Sequence, residues 1–114
     1  MERYHIHHLG YLTGDINNTA KAFELLGYSA GATIADDTQQ THICFLHKEG
    51  ETTIELVQPY DGKKTRQRML AKRGVTPYHL CYEVDDVEQE YEYLISKTGR
   101  HCLSLWQPLP STIG

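Results

Sequence analysis

Two periods alternate along the chain. In 4–12 (YHIHHLGYL), 40–47 (QTHICFLH), 52–58 (TTIELVQ) and 78–84 (YHLCYEV), apolar and polar side chains alternate, the pattern of a strand with one face buried. Between the first two, Ile16, Ala20, Phe23 and Leu26 recur at helical spacing behind Asp15, an N-cap residue type, and Gly27 predicts the end of that helix. A further strand is expected over roughly 28–34, with DDTQQ and KEGE supplying turns. Residues 63–73 (KKTRQRMLAKR) predict an exposed helix closed by Gly74. A strand at 78–84, a helix at about 86–97 capped by Asp86 and a strand near 101–107 follow.

An internal repeat organises these elements. Shifted by 71 residues, His8-Leu9-x-Tyr11 falls on His79-Leu80-x-Tyr82 and Asp15-Ile16 on Asp86-Val87; Ala20 and Phe23 fall on Tyr91 and Leu94. Register is kept across a strand, a cap and a helix, which predicts two copies of one unit. The expected fold is α+β: paired βαβββ modules forming a curved mixed sheet around a cleft, with the second module incomplete at the C-terminus. Residues 1–114 then form a single domain, with module one about 1–60, a crossover helix about 63–74 and a partial module two about 75–114.

Composition narrows the class. A chain of 114 residues with 39% hydrophobic and 23% charged residues fits one globular domain. The net charge of -4 comes from both signs without an acidic tail, so nothing in it points to nucleic acid or a membrane surface. No apolar run approaches the ~20 residues of a membrane span, and MERYHIHH lacks the core of a signal peptide, so a cytoplasmic protein is expected. Cys44, Cys81 and Cys102 are odd in number and isolated, which argues against a disulfide framework. Lys63, Lys64, Arg66, Arg68, Lys72 and Arg73 gather most of the basic charge on the crossover: either a solvated helix or a docking edge for phosphates and carboxylates.

The strand periods also carry candidate chemistry. Alternate residues share a face. Leu80, Tyr82 and Val84 would face the helix layer, leaving His79 opposite; His8 lies opposite Leu9 and Tyr11, and Glu55 opposite Ile54 and Leu56. Three strands thus aim His8, Glu55 and His79 at one surface. Two imidazoles and a carboxylate suit a divalent metal such as Zn, Ni, Co, Mn or Fe, with open positions left over, and a cation offsets the cost of burying a carboxylate. The remaining histidines, His5, His7, His42, His47 and His101, are read as surface or packing residues.

HHLGYL, TTIELVQP and PYHLCYEVDDVE, in this order, resemble the motifs of the vicinal oxygen chelate superfamily over nearly the whole chain to about residue 97. That superfamily includes glyoxalase I, methylmalonyl-CoA epimerase, extradiol dioxygenases and bleomycin-resistance proteins. The resemblance implies paired βαβββ modules and a divalent metal at His8, Glu55 and His79. It also implies proton abstraction beside a metal-bound carbonyl, with Glu55 as ligand and catalytic base, and a homodimer. The long crossover is most like the epimerase branch. The small-molecule substrate would then be of the acyl-CoA type, or of the glutathione thiohemiacetal type if the glyoxalase I branch applies.

Two departures set the alternatives. Family members carry a fourth ligand, a glutamate, on a last strand, and LPSTIG ends the sequence without an evident equivalent; His101 and Cys102 are possible soft ligands. Epimerases also place an acidic base before the strand that here reads HICFL, where this chain has DDTQQT with Asp36 and Asp37 nearby. A non-catalytic binding or resistance protein, and an inactive truncated form, are the competing expectations.

Overall fold

The computed structural model describes residues 5–61, 64–100 and 103–108, at 64–66 the backbone alone. The described chain is mixed α+β with seven strands and three helices: β1 (His5–Leu12), α1 (Ile16–Leu25), β2 (Ser29–Ala30), β3 (Ile34–Asp36), β4 (Thr41–His47), β5 (Thr53–Pro59), α2 (Lys64–Arg73), β6 (Thr76–Glu83), α3 (Val87–Thr98) and β7 (Ser104–Trp106). It forms two compact units: His8–His79, and the residues before His8 together with those from Leu80 onward. His101, Cys102 and Lys63 lie outside the described residues, as do the side chains of Lys64 and Arg66; Arg68, Lys72 and Arg73 are exposed.

In the first unit the strand order is β2-β4-β5-β1-β6, with β3 also on β4. β5 pairs parallel with β1 (Gly10 beside Glu55, Tyr11 beside Leu56) and antiparallel with β4 (Phe45 opposite Glu55). One face of this sheet takes α1. Ile54 and Leu56 of β5, Cys44 and Leu46 of β4 and Ile16 and Ala20 of α1 form the buried core, flanked by Leu9, Tyr11, Phe23 and Tyr28. Leu46 and Leu56 are wholly buried, each worth about 1.5–3 kcal/mol relative to exposure. The predicted facing of β1 and β5 is therefore what is found.

Both ends of α1 follow from the sequence. The Asp15 carboxylate accepts from Asn18 N–H at 3.1 Å, and Asp15 N–H is fixed by the Thr13 hydroxyl at 3.0 Å. At the other end Gly27 N–H reaches Glu24 O at 3.0 Å and Tyr28 N–H reaches Phe23 O at 3.1 Å. This closure needs a left-handed residue, and Gly27 supplies it with φ of +99°.

The single strand expected over 28–34 is two short ones. β2 pairs Ala30 with Leu46, whereas β3 pairs Ile34 with Ile43. Three residues of the edge thus oppose two of β4, and this extra residue is a bulge that breaks the ladder. Gly31 keeps one bond across it, donating to Phe45 O at 2.9 Å.

In the second unit β7 runs parallel to β6, with Tyr82 beside Leu105 and Glu83 beside Trp106. The repeat carries Tyr11 to Tyr82, and Tyr11 stands beside Leu56 of β5, so β7 takes in this unit the register on β6 that β5 takes on β1. Two hydrogen bonds repeat as well. Thr13 N–H donates to Val57 O and Val84 N–H to Trp106 O, both at 2.9 Å. Gln58 Oε1 accepts from Ile16 N–H at 3.0 Å, and Gln107 Oε1 from Val87 N–H at 2.6 Å. As expected, the second copy is shorter than the first: among the described residues it has one strand, β7, after α3, where the first has four after α1. Without a counterpart of β4 among its described residues, this unit leaves Leu80, Tyr93 and Leu103 exposed. Leu80 thus departs from its predicted burial.

Candidate metal centre

His8, Glu55 and His79 all belong to the first unit. Strand alternation turns His8 and Glu55 away from the α1 core, and His79 at the end of β6's contribution to this unit meets them. His8 is 7% exposed; the side chains of Glu55 and His79 retain 14% and 28% of their exposure. The two Nε2 atoms are 3.1 Å apart, and each is 3.6 Å from Glu55 Oε1. These donors form the one group of metal-ligating side chains found among the described residues.

Their spacing tests the fit to a cation. A triangle with edges of 3.1, 3.6 and 3.6 Å has a point about 2.0 Å from every corner, the length of a zinc–nitrogen or zinc–oxygen bond, roughly 2.0–2.2 Å. The donor set is neutral imidazole, neutral imidazole and carboxylate. Without a cation, the facing Nε2 atoms repel unless a proton lies between them. The residues therefore fit a divalent metal in spacing and in chemistry.

Gly10 shapes this site. A Cβ there would stand 2.6 Å from His79 Cε1 and 2.8 Å from both ring nitrogens, so the imidazole lies flat on the backbone of β1. No other residue leaves room for it. Edge contacts complete the packing: Phe45 meets the His8 ring at 6.1 Å between centroids and Tyr78 meets His79 at 4.3 Å. Gly10 had a signal in the sequence, a glycine inside a strand pattern, which marks close approach of another group.

The other candidates lie elsewhere. Asp36 Oδ1 accepts from Gln39 N–H at 3.1 Å within a turn, and Asp37 accepts from the Tyr60 hydroxyl at 2.7 Å. That hydrogen bond, then burial and the charges of Asp37 and Asp36, raise the Tyr60 phenol above its usual pKa of 10.0. His5 pairs with Glu83, His7 stacks on Trp106 at 3.9 Å, and His42 packs against Tyr60 at 4.7 Å. His47 is different: its Nδ1 meets the Thr53 hydroxyl at 3.3 Å, on the face that carries Glu55. Ser104 stands beside Cys81 in the register in which Glu55 stands beside Gly10.

Known structures share this fold. Methylmalonyl-CoA epimerase from Mycobacterium tuberculosis superposes with a TM-score of 0.74 at 23% identity, over 82% of this chain and 63% of that one. A hypothetical protein from Bacillus halodurans C-125 gives 0.76 at 21% identity, over 84% and 70%. A substituted Streptomyces coelicolor methylmalonyl-CoA epimerase in complex with 2-nitronate-propionyl-CoA gives 0.70 at 20% identity, over 82% and 69%. This chain thus spans less than two thirds of the mycobacterial epimerase. No curated protein matches the sequence. No helix among the described residues is long and apolar enough to cross a membrane. The family model of the Glyoxalase/Bleomycin resistance protein/Dioxygenase superfamily matches residues 7–102, and the chain belongs to that superfamily.

Proposed function

We propose that the chain is a divalent-metal-dependent isomerase or lyase that moves a proton on a carbon next to a carbonyl, with an acyl-CoA of the methylmalonyl type as its substrate class. One observation carries this reading: three donors from three strands leave room for one ion at bonding distance from each. The epimerases among the similar structures support the substrate class.

A cation bound there would supply electrophilic stabilisation of the charge that develops on a substrate oxygen, worth several kcal/mol in the transition state. His8 and His79 hold it as neutral nitrogen ligands. Glu55 is ligand and base together: a carboxylate oxygen takes the proton from the carbon when it comes within about 3 Å. Packing against Phe45 and Gly10 fixes both rings, so little orientation is lost when the substrate arrives. Return of the proton to the opposite face gives an epimer; return to the neighbouring carbon gives the product of a lactoylglutathione-type lyase.

A second reading, a binding protein of the same superfamily without catalysis, is favoured by the donor set: among the described residues one carboxylate, Glu55, reaches the candidate centre. Deuterium exchange separates the readings. Methylmalonyl-CoA in D₂O, with Ni²⁺, Co²⁺ or Zn²⁺ present, should gain deuterium at the α-carbon at a rate that falls at least tenfold on chelation. If neither it nor the methylglyoxal–glutathione adduct reacts while metal is bound, the binding reading replaces the catalytic one.

A further inference from the structure

We infer that the outer edge of β7 docks the β7 of a second copy of this chain, antiparallel to it, and that Tyr91 of α3 guards this edge. β7 ends the strand order, so on one side it has no strand beside it among the described residues. Two hydrogen bonds fix where its peptide groups point. Trp106 O accepts from Val84 N–H at 2.9 Å, so Trp106, and by alternation Ser104, turn their peptide groups to β6. Leu105 turns its own the other way, and its N–H donates to the Tyr91 hydroxyl at 3.0 Å. A helix side chain thus takes the donor that a neighbouring strand would take.

The first unit shows what fits such an edge. β5 stands on β1 in the register that β7 takes on β6, and Val57 O accepts from Thr13 N–H as Trp106 O does from Val84 N–H. By the same alternation Leu56 turns its peptide groups outward, to β4, where Cys44 stands opposite in an antiparallel pairing. The repeat places Ala20 at the position of Tyr91. Ala20 is buried in the cluster that holds Cys44, Leu46 and Leu56, and its small side chain leaves room for β4. At the equivalent position of the second unit, a tyrosine puts its hydroxyl on the edge instead.

Tyr91 covers one N–H and leaves the rest of the edge attractive to a strand. Ser104, Leu105 and Trp106 carry neither charge nor proline, the common protections of an edge. Leu80 and Leu103, one level before Cys81 and Ser104 in the parallel register, are 40% and 41% exposed. Leu9 and Ile54, the residues at that level of the first unit, belong to its core or pack against it. An antiparallel β7 from a second copy meets each of these needs. It is uncharged and equally short, and across a twofold axis Leu105 of each copy exchanges both outward hydrogen bonds with its equivalent in the other, while the added strand covers Leu103. Pairing two three-residue strands buries little area, so the association is weak, and Tyr91 must swing off Leu105 for it to form.

Tyr91→Ala gives this position the residue that the repeat has at Ala20. Sedimentation over a concentration series, with circular dichroism to confirm the fold, should show Tyr91→Ala dimerising about tenfold more tightly than the unsubstituted chain, because one hydrogen bond per copy no longer has to break. Leu105→Pro removes the outward N–H and spares the bonds to β6; added to Tyr91→Ala, it should return the dimer to monomer. Should Tyr91→Ala fail to fold, amide exchange on the conservative Tyr91→Phe decides. Its Leu105 N–H should exchange freely when dilute and become protected as concentration rises, whereas that of the unsubstituted chain should be protected throughout. A folded Tyr91→Ala chain that stays monomeric at every concentration, or whose dimers survive Leu105→Pro, overturns the docking site. A Leu105 amide that stays protected in dilute, monomeric Tyr91→Phe means that another segment of the same chain covers the edge, and overturns the second copy as its occupant.

Discussion

The site depends on a residue with no side chain. Gly10 carries no donor, yet the His79 ring occupies the space a Cβ would need, and His79 completes the three-donor group. Gly10→Ala keeps an extended backbone that alanine adopts freely, so the strand should survive. The imidazole, however, must move away from His8 and Glu55. Ni²⁺ affinity measured by calorimetry should fall at least a hundredfold, while urea denaturation of the metal-free protein should show a loss of no more than about 1–3 kcal/mol from the displaced ring. The meeting of His8, Glu55 and His79 was legible because alternation alone assigns them a common face. Gly10 was legible only as a place of close approach; that the His79 ring is what arrives there depends on strand pairing that no local pattern states.

At the scale of elements, local signals carried most of the fold. Asp15 and Asp86 cap α1 and α3 as the sequence predicts, each accepting from the backbone N–H three residues on. The bulge between β2 and β3 was hidden, since it arises from pairing with β4 and leaves no mark of its own beyond Gly31. The strand near 101–107 was legible, but its parallel pairing with β6 was hidden for a related reason, since register across strands leaves no local mark. Two glutamines gain a function in the fold, because Gln58 and Gln107 each accept the first N–H of a helix. Gln58→Ala leaves Ile16 N–H without that partner, in a buried residue. Urea denaturation should show a loss of about 1–3 kcal/mol with metal affinity unchanged, since the cap and the centre lie on opposite faces of the sheet.

For the whole molecule, the repeat explains how the candidate centre assembles. The first copy carries two of the three donors, His8 and Glu55, and the second contributes His79. One carboxylate and two imidazoles are a set that would leave positions open for a substrate around a metal. Binding to the folded state alone stabilises it by about 2.7 kcal/mol when free metal is a hundred times the dissociation constant. The decisive measurement is a titration of metal-free protein with Ni²⁺, followed by calorimetry and thermal denaturation. It should show one equivalent bound per chain with a raised Tm, and both effects should vanish in His8→Ala and Glu55→Ala. Less than a tenth of an equivalent bound, with no change in Tm on adding Ni²⁺, Co²⁺ or Zn²⁺, would contradict the metal centre and every function built on it.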